Sequence, residues 1–251
     1  MSWIYDAHIH LSDPEYKSDM DMILNYMDLL KIKACCVSMD LETSNQTLNL
    51  HEKSKNVLPF IGIHPEMAQN ESKPVYDLIE ENNEIISGIG EIGLDRTYID
   101  TDDEWNLQKE VFSKQLSLAE KFNKPVSIHS RKTLSDIFEI LPSYKLPGIL
   151  LHWFDGNKSQ LRTAMDNGYF VSYGPLLVYA NDKQTLLTKT DPSQLLVETD
   201  GPVRFSRCFE YKTTEIMFVS SVIFCASKLL HMSYEKLLEQ IEGNSKRFLG
   251  I

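Results

Sequence analysis

The chain has 251 residues, 42% hydrophobic and 24% charged, and its Lys+Arg 25 against Asp+Glu 36 leaves a net charge of −11. Such a chain can bury a sizeable core, and with Gly 11 and Pro 10, few and scattered, it is neither collagen-like nor disordered. The acidic balance excludes a fold coated in basic charge for non-specific nucleic-acid binding, while leaving room for a local positive site.

The N-terminus carries neither a basic segment nor an apolar one, so no secretory leader is expected. The first apolar run, residues 3–7, is predicted as a strand. Further strands are predicted over 34–38, 58–63, 85–89, 126–128, 148–151, 169–172 and 195–197, from short β-branched runs. Helical periods intervene over 19–30, 75–81, 103–122, 134–141 and 159–167, and helices over 214–230 and 234–241 close the chain. Asp103 and Ser159 are expected N-caps, since their side-chain oxygens can accept from free first-turn N–H groups. Met20, Met22 and Met27 have helical spacing and read as core. The longest apolar stretch, 216–230, is shorter than the roughly 20 residues a membrane span needs, so it reads as a buried helix and no membrane contact is expected. Of the four cysteines, Cys35 and Cys36 are adjacent and no C-x-x-C occurs; all are expected to be core thiols in a reducing cytoplasm.

Eight strands alternating with helices predict an α/β fold, a parallel (β/α)8 TIM barrel, as one domain over residues 1–251. A doubly wound open sheet has the same alternation, and the polar residues decide between them. The first strand leads into Asp6-Ala-His8-Ile-His10-Leu. The third leads to Gly62-Ile-His64-Pro65, the fourth to Gly90-Glu91-Ile-Gly93-Leu-Asp95, the fifth to His129-Ser-Arg131. The sixth leads to His152-Trp-Phe-Asp155, and the eighth to Glu198-Thr-Asp200-Gly201-Pro202. Five of the seven histidines therefore lie at strand ends, which a barrel gathers on one face and an open sheet would string along a line.

Residues i and i+2 of an extended segment share a side, so His8 and His10 can hold one cation. With Glu91, His129, His152 and Asp200 the set becomes four imidazoles and two carboxylates. That is too many for one tetrahedral site and suits two divalent ions sharing a bridging carboxylate.

The motifs D-A-H-I-H-L, G-I-H-P, G-E-I-G-L-D, K-P-V-S-I-H-S-R and E-T-D-G-P, in this order, resemble the TatD family of metal-dependent hydrolases, and the resemblance runs to the closing Asn244–Ile251 segment. It implies an amidohydrolase-like barrel acting as a deoxyribonuclease. It implies one metal on His8, His10, Glu91 and Asp200, a second on Glu91, His129 and His152, and His64 beside the substrate phosphate. Zinc, manganese or magnesium would suit these ligands. The implied substrate is a DNA end or short nucleic acid, with Asp200 taking the proton of the attacking water; no obligate protein partner is expected. Two departures stand out. The loop after Gly201-Pro202 lacks the family's usual Asn-Glu-Pro, and His152-Trp153-Phe154 replaces its His-Cys-Phe. Both fall in loops that choose the substrate, so a hydrolase of small amides, esters or lactones is the enzymatic alternative. A metal-binding interaction protein without turnover is the other.

Arg131, Arg204 and Arg207 are candidate phosphate clamps, because a guanidinium binds phosphate through two parallel hydrogen bonds. Trp153 and Phe154 can stack on a base or pack beneath the loop. Asp95 is expected to orient a ligand rather than bind metal. His51 and His231 are expected at the surface.

Overall fold

The alternating pattern forms eight parallel strands that pair in chain order, in a computed structural model that describes residues 2–251. The strands are β1 (Ile4–Ile9), β2 (Ile32–Val37), β3 (Val57–Ile61), β4 (Gly88–Asp95), β5 (Val126–Arg131), β6 (Ile149–Leu151), β7 (Phe170–Tyr173) and β8 (Leu195–Val197). The helices around them are α1 (Met20–Leu29), α2 (Leu41–Lys53), α3 (Lys73–Glu81), α4 (Asp102–Lys121), α5 (Leu134–Ile140), α6 (Lys158–Asp166), α7 (Asn181–Leu187), α8 (Val219–Leu229) and α9 (Tyr234–Leu249). The sheet closes at the seam between β8 and β1. Asp200 N–H donates to the His8 carbonyl (2.9 Å), and His10 N–H donates to the Gly201 carbonyl (2.8 Å). The fold is the expected (β/α)8 barrel, and the open sheet is excluded.

Two apolar layers sit on either side of the barrel wall. The inner one contains Tyr5, Ala7, Cys35, Val37, Phe60, Leu150, Phe170 and Leu196, with Phe248 and Leu249 of α9 packed against them. The outer one, between strands and helices, contains Ile9, Leu11, Ile32, Ala34, Ile61, Ile89, Ile92, Val126 and Ile128. These memberships reveal a switch of parity in the two strands that carry most of the polar residues. In β1, Tyr5 and Ala7 belong inside but Ile9 and Leu11 belong outside, so one extra residue is inserted between them. The pairing confirms it: Asp6 opposes Ala34 while Ile9 opposes Cys36, three residues of β1 against two of β2. β4 does the same, with Ile89 opposite Val126 and Ile92 opposite Ile128. Bulges of this kind re-aim side chains. Here they turn His8 and His10, and then Glu91, toward the barrel axis.

Several sequence expectations are corrected. The fourth strand spans Gly88–Asp95 rather than 85–89, and Ile85 is 49% exposed. Its three glycines weaken the strand signal, yet tertiary packing requires two of them. A Cβ on Gly88 would collide with the Phe60 ring, and one on Gly93, at φ +147, would collide with the His129 carbonyl oxygen. Helices α2 and α7 lie outside the predicted set, because their buried faces are narrow and partly polar: Ser44, Thr47 and Leu50 in α2, Lys183, Leu186 and Leu187 in α7. The caps shift by two residues. Thr101, not Asp103, caps α4, with Glu104 returning a bond to the Thr101 N–H; Asn157, not Ser159, caps α6, with Gln160 in the matching role. Met22 is exposed because the apolar stripe of α1 runs through Ile23 and Met27. Cys35 and Cys36 are buried, but Cys208 is exposed on a surface turn and Cys225 is half-buried. His51 is half-buried, its Nδ1 2.7 Å from the Val57 carbonyl. Among the described residues no single helix is long and apolar enough to cross a membrane.

Asp6 fastens the seam. Its Oδ1 accepts from Thr199 N–H (3.0 Å) and His8 N–H (3.2 Å), and its Oδ2 accepts from the Thr199 hydroxyl (2.5 Å). Burial pushes its carboxyl up to about 8 against these hydrogen bonds. Asp6→Ala strands three buried donors and should cost about 2–4 kcal/mol. Asp6→Asn keeps an acceptor for the two N–H groups and offers the Thr199 hydroxyl a donor, so it should cost less than about 1 kcal/mol. Urea denaturation of both variants checks this; equal losses would assign the seam to charge rather than to hydrogen bonding.

Candidate metal centre

Glu91 occupies the axis at the C-terminal mouth of the barrel, 3% exposed, with imidazoles on every side. Its Oε2 lies 3.5 Å from His8 Nε2 and 3.3 Å from His10 Nε2. Asp200 Oδ1 lies 3.5 Å from each of the same two nitrogens, which are 3.4 Å from one another. A tetrahedron with metal–ligand distances of about 2.1 Å has edges of about 3.4 Å. His8, His10 and Glu91 already have this spacing, and Asp200 Oδ1 lies against the two imidazoles as a fourth donor.

The other oxygen of Glu91 faces a second group. Oε1 is 2.9 Å from His129 Nδ1 and 2.8 Å from His152 Nε2. His129 Nε2 meets Asp95 Oδ2 at 2.8 Å, which directs Nδ1 inward. His8 is aimed in the same manner by Ser127 Oγ, 2.9 Å from its Nδ1. His152 Nδ1 is buried without a hydrogen-bond partner, 3.9 Å from Glu198 Oε2. That orphan fits a cation at Nε2, since the ring proton would then sit on Nδ1, facing a carboxylate. Glu198 itself is riveted by Trp153 N–H (2.7 Å) and the Ser172 hydroxyl (2.5 Å).

The electrostatics point the same way. Burial would raise the Glu91 carboxyl, but His152, His64, His8 and His10 outweigh it and hold it well below the usual carboxylate range. Burial also opposes charge on His10 and His129, yet hydrogen bonds to Asp200 and Glu91 raise His10 to about 10, and those to Asp95 and Glu91 raise His129 to about 9. His8 goes the other way, to about 4, because it is buried and stacked at 3.8 Å on the His152 ring. The cluster gathers positive charge around its carboxylates, which is what a divalent cation supplies.

His64 is placed differently. It caps the short turn Pro65–Met67, its Nδ1 accepting from Glu66 N–H at 3.2 Å. The ring proton therefore sits on Nε2, 3.6 Å from Glu91 Oε1, and burial holds the group neutral by lowering it to about 4. His64, Glu91 and His129 are close enough to form a ligand-sized group, but in this tautomer His64 offers the cleft a donor.

A cleft of about 780 Å³ opens over these groups, lined by His10, His64, Glu91, His129, His152 and Asp200 at its floor. Arg131 and Arg204 line it as well, whereas Arg207, on the turn Arg207–Phe209, is not among its lining residues. Trp153 forms part of the wall and stacks on Phe205 at 5.4 Å, while Phe154 is buried beneath the loop. Asp6, Ser127 and Tyr98 join the site only through the fold. Ser127 shares a strand face with His129, and that i, i+2 spacing is the sequence signal that points to it.

The family model described as TatD related DNase matches residues 5–250. The chain is 29% identical over 213 residues to human deoxyribonuclease TATDN3, covering 79% of this chain and 78% of that one. It is 27% identical over 255 residues to YabD, an uncharacterized metal-dependent hydrolase of Bacillus subtilis (strain 168), covering 99% of each. The crystal structure of YJJV, a TatD homolog from Escherichia coli K12, superposes with a TM-score of 0.89 at 23% identity, over 99% of this chain and 98% of that one.

Proposed function

The chain belongs to the family of TatD-related DNases, which makes it a metal-dependent hydrolase, and from that premise we propose that it cleaves phosphodiester bonds of DNA at an end or in a short strand, using two divalent cations. The observation that carries this reading is Glu91, whose two oxygens each face a separate set of imidazoles. His8, His10, Glu91 and Asp200 would hold one cation, and Glu91, His129 and His152 the other. Bound there, divalent cations bring the pKa of water toward neutrality and polarise a phosphoryl oxygen.

The remaining work falls to the chain. Asp200 has one oxygen turned to His8 and His10, so its second oxygen is free to take the proton of the attacking water. His64 donates from Nε2 to a phosphoryl oxygen as charge develops there, a task that a neutral, buried imidazole with a fixed tautomer performs without reorganising. Arg131, which lines the cleft outside any ion pair, would meet a flanking phosphate, whereas Arg204 is held by Glu15. A net charge of −11 suits a strand end better than a long duplex, which needs many cationic contacts.

End-labelled single-stranded DNA assayed beside small esters and lactones tests the reading, with metal-replete protein and after chelation. Metal-dependent shortening of the DNA is expected. Turnover of esters or lactones with intact DNA would replace phosphodiester by carbonyl hydrolysis, which the same donors can support.

A further inference from the structure

We propose that Tyr98 is a nucleobase platform, the residue that seats the base beside the scissile phosphate and makes the cleft select an unpaired strand end. The inference rests on the phosphodiesterase reading above and adds what recognises the substrate.

The charge around the cleft shows why such a platform is needed. Outside the metal-ligating set, its lining carries four carboxylates, Asp13, Glu15, Glu66 and Asp155, against the guanidinium groups of Arg131 and Arg204. Arg204 is already engaged, 2.7 Å from Glu15 Oε2 and 3.3 Å from the Thr213 hydroxyl. Among the described residues that line the cleft, Arg131 is the one cationic side chain outside an ion pair. Phosphate contacts can therefore supply little of the affinity for a strand. Stacking on an aromatic face is the other general source, and every base offers a π-face to it.

Tyr98 has the position and the stiffness for that role. It ends the turn Arg96–Tyr98 directly after β4 and is 41% exposed within the cleft lining. Its ring meets His64 edge to face, centroids 5.9 Å apart, so it stands beside the proposed phosphate donor. The turn is held from both sides. Asp95 Oδ1 accepts from Thr97 N–H (2.7 Å) and the Thr97 hydroxyl (2.6 Å), while its Oδ2 holds His129. Arg96 lies over the Trp105 ring at 4.0 Å and bonds Asp136 at 3.0 Å. One carboxylate thus sets both the imidazole at the cation site and the turn that presents the aromatic. A half-exposed ring on a fastened turn loses little conformational freedom on binding. Trp153, on another wall, is less suited, because Phe205 already stacks on it.

The test compares metal-loaded wild type with Tyr98→Ala and Tyr98→Phe on two single-stranded oligonucleotides of equal length. One is ordinary DNA; the other carries base-free tetrahydrofuran residues at both ends. Tyr98→Ala should raise KM about tenfold or more on ordinary DNA, with kcat within about twofold. Tyr98→Phe should stay close to wild type, and all three proteins should treat the base-free ends alike. A 2-aminopurine at the strand end should be quenched on binding to Asp200→Asn and not to Asp200→Asn/Tyr98→Ala. Metal content and thermal midpoint should match wild type, which separates a lost platform from a damaged fold. Cleavage of DNA with an unchanged KM in Tyr98→Ala, or an equal loss on base-free ends, overturns the platform alone. If wild type cleaves neither oligonucleotide, the phosphodiesterase reading falls, and the platform falls with it.

Discussion

Glu91→Gln is expected to strip the barrel mouth of metal and to lower kcat/KM by a factor on the order of 10⁴ or more. The reason lies in the sharing of one carboxylate. Oε1 faces His129 and His152 while Oε2 faces His8 and His10, so a glutamine can leave an oxygen toward one pair only and must turn an NH2 toward the other. The group is almost wholly buried, so no water replaces the lost anion. Elemental analysis after gel filtration reads the metal, and near-UV circular dichroism reads whether the barrel persists. A variant that keeps its full metal content would show that Glu91 is not the shared ligand.

Asp200→Asn is the second large effect, with a different signature. The substitution preserves shape and one oxygen toward His8 and His10, but removes the proposed proton acceptor. Turnover should fall by roughly two to four orders of magnitude, with much of the metal retained. His64→Ala provides the contrast. Its donor Nε2–H is assigned to the phosphate and its Nδ1 to the Glu66 N–H, so metal content should stay at the wild-type level while kcat falls. Should His64→Ala lose metal as fully as Glu91→Gln does, His64 belongs with the ligands, in the group it forms with Glu91 and His129.

The chemistry of the site was written in residue types. Four histidines and two carboxylates at the ends of apolar runs already called for a barrel mouth and a cation, since only convergence makes such a scatter of polar groups tolerable. The eight-fold alternation was equally plain, because buried parallel strands and amphipathic helices have different hydrophobic periods. Local contests were not. Thr101 and Asn157 took the caps from Asp103 and Ser159 because each has a Glu or Gln three residues on that returns the bond. The strand predicted over 85–89 lies instead at Gly88–Asp95, where Phe60 and the His129 carbonyl fill the space that side chains on Gly88 and Gly93 would take.

What the amino-acid order determined by itself was therefore the inventory and the fold that could gather it: which groups can bind a cation, and that they sit at strand ends. What only the tertiary structure decided was direction. A period of two continued from Tyr5 and Ala7 would aim Ile9 at the axis and His8 and His10 at the helices. The bulge in β1 reverses this, and the bulge in β4 does the same for Glu91. No local propensity encodes such a slip, because it is set by which side chains neighbouring strands can accommodate. The ring orientations of His8 and His129, and the tautomer of His64, follow the same rule, set by Ser127, Asp95 and the Glu66 N–H, partners brought up by folding. Ligand identity is a property of residues, whereas ligand geometry belongs to the packed barrel, where a single inserted residue chooses which face of a strand meets the metal.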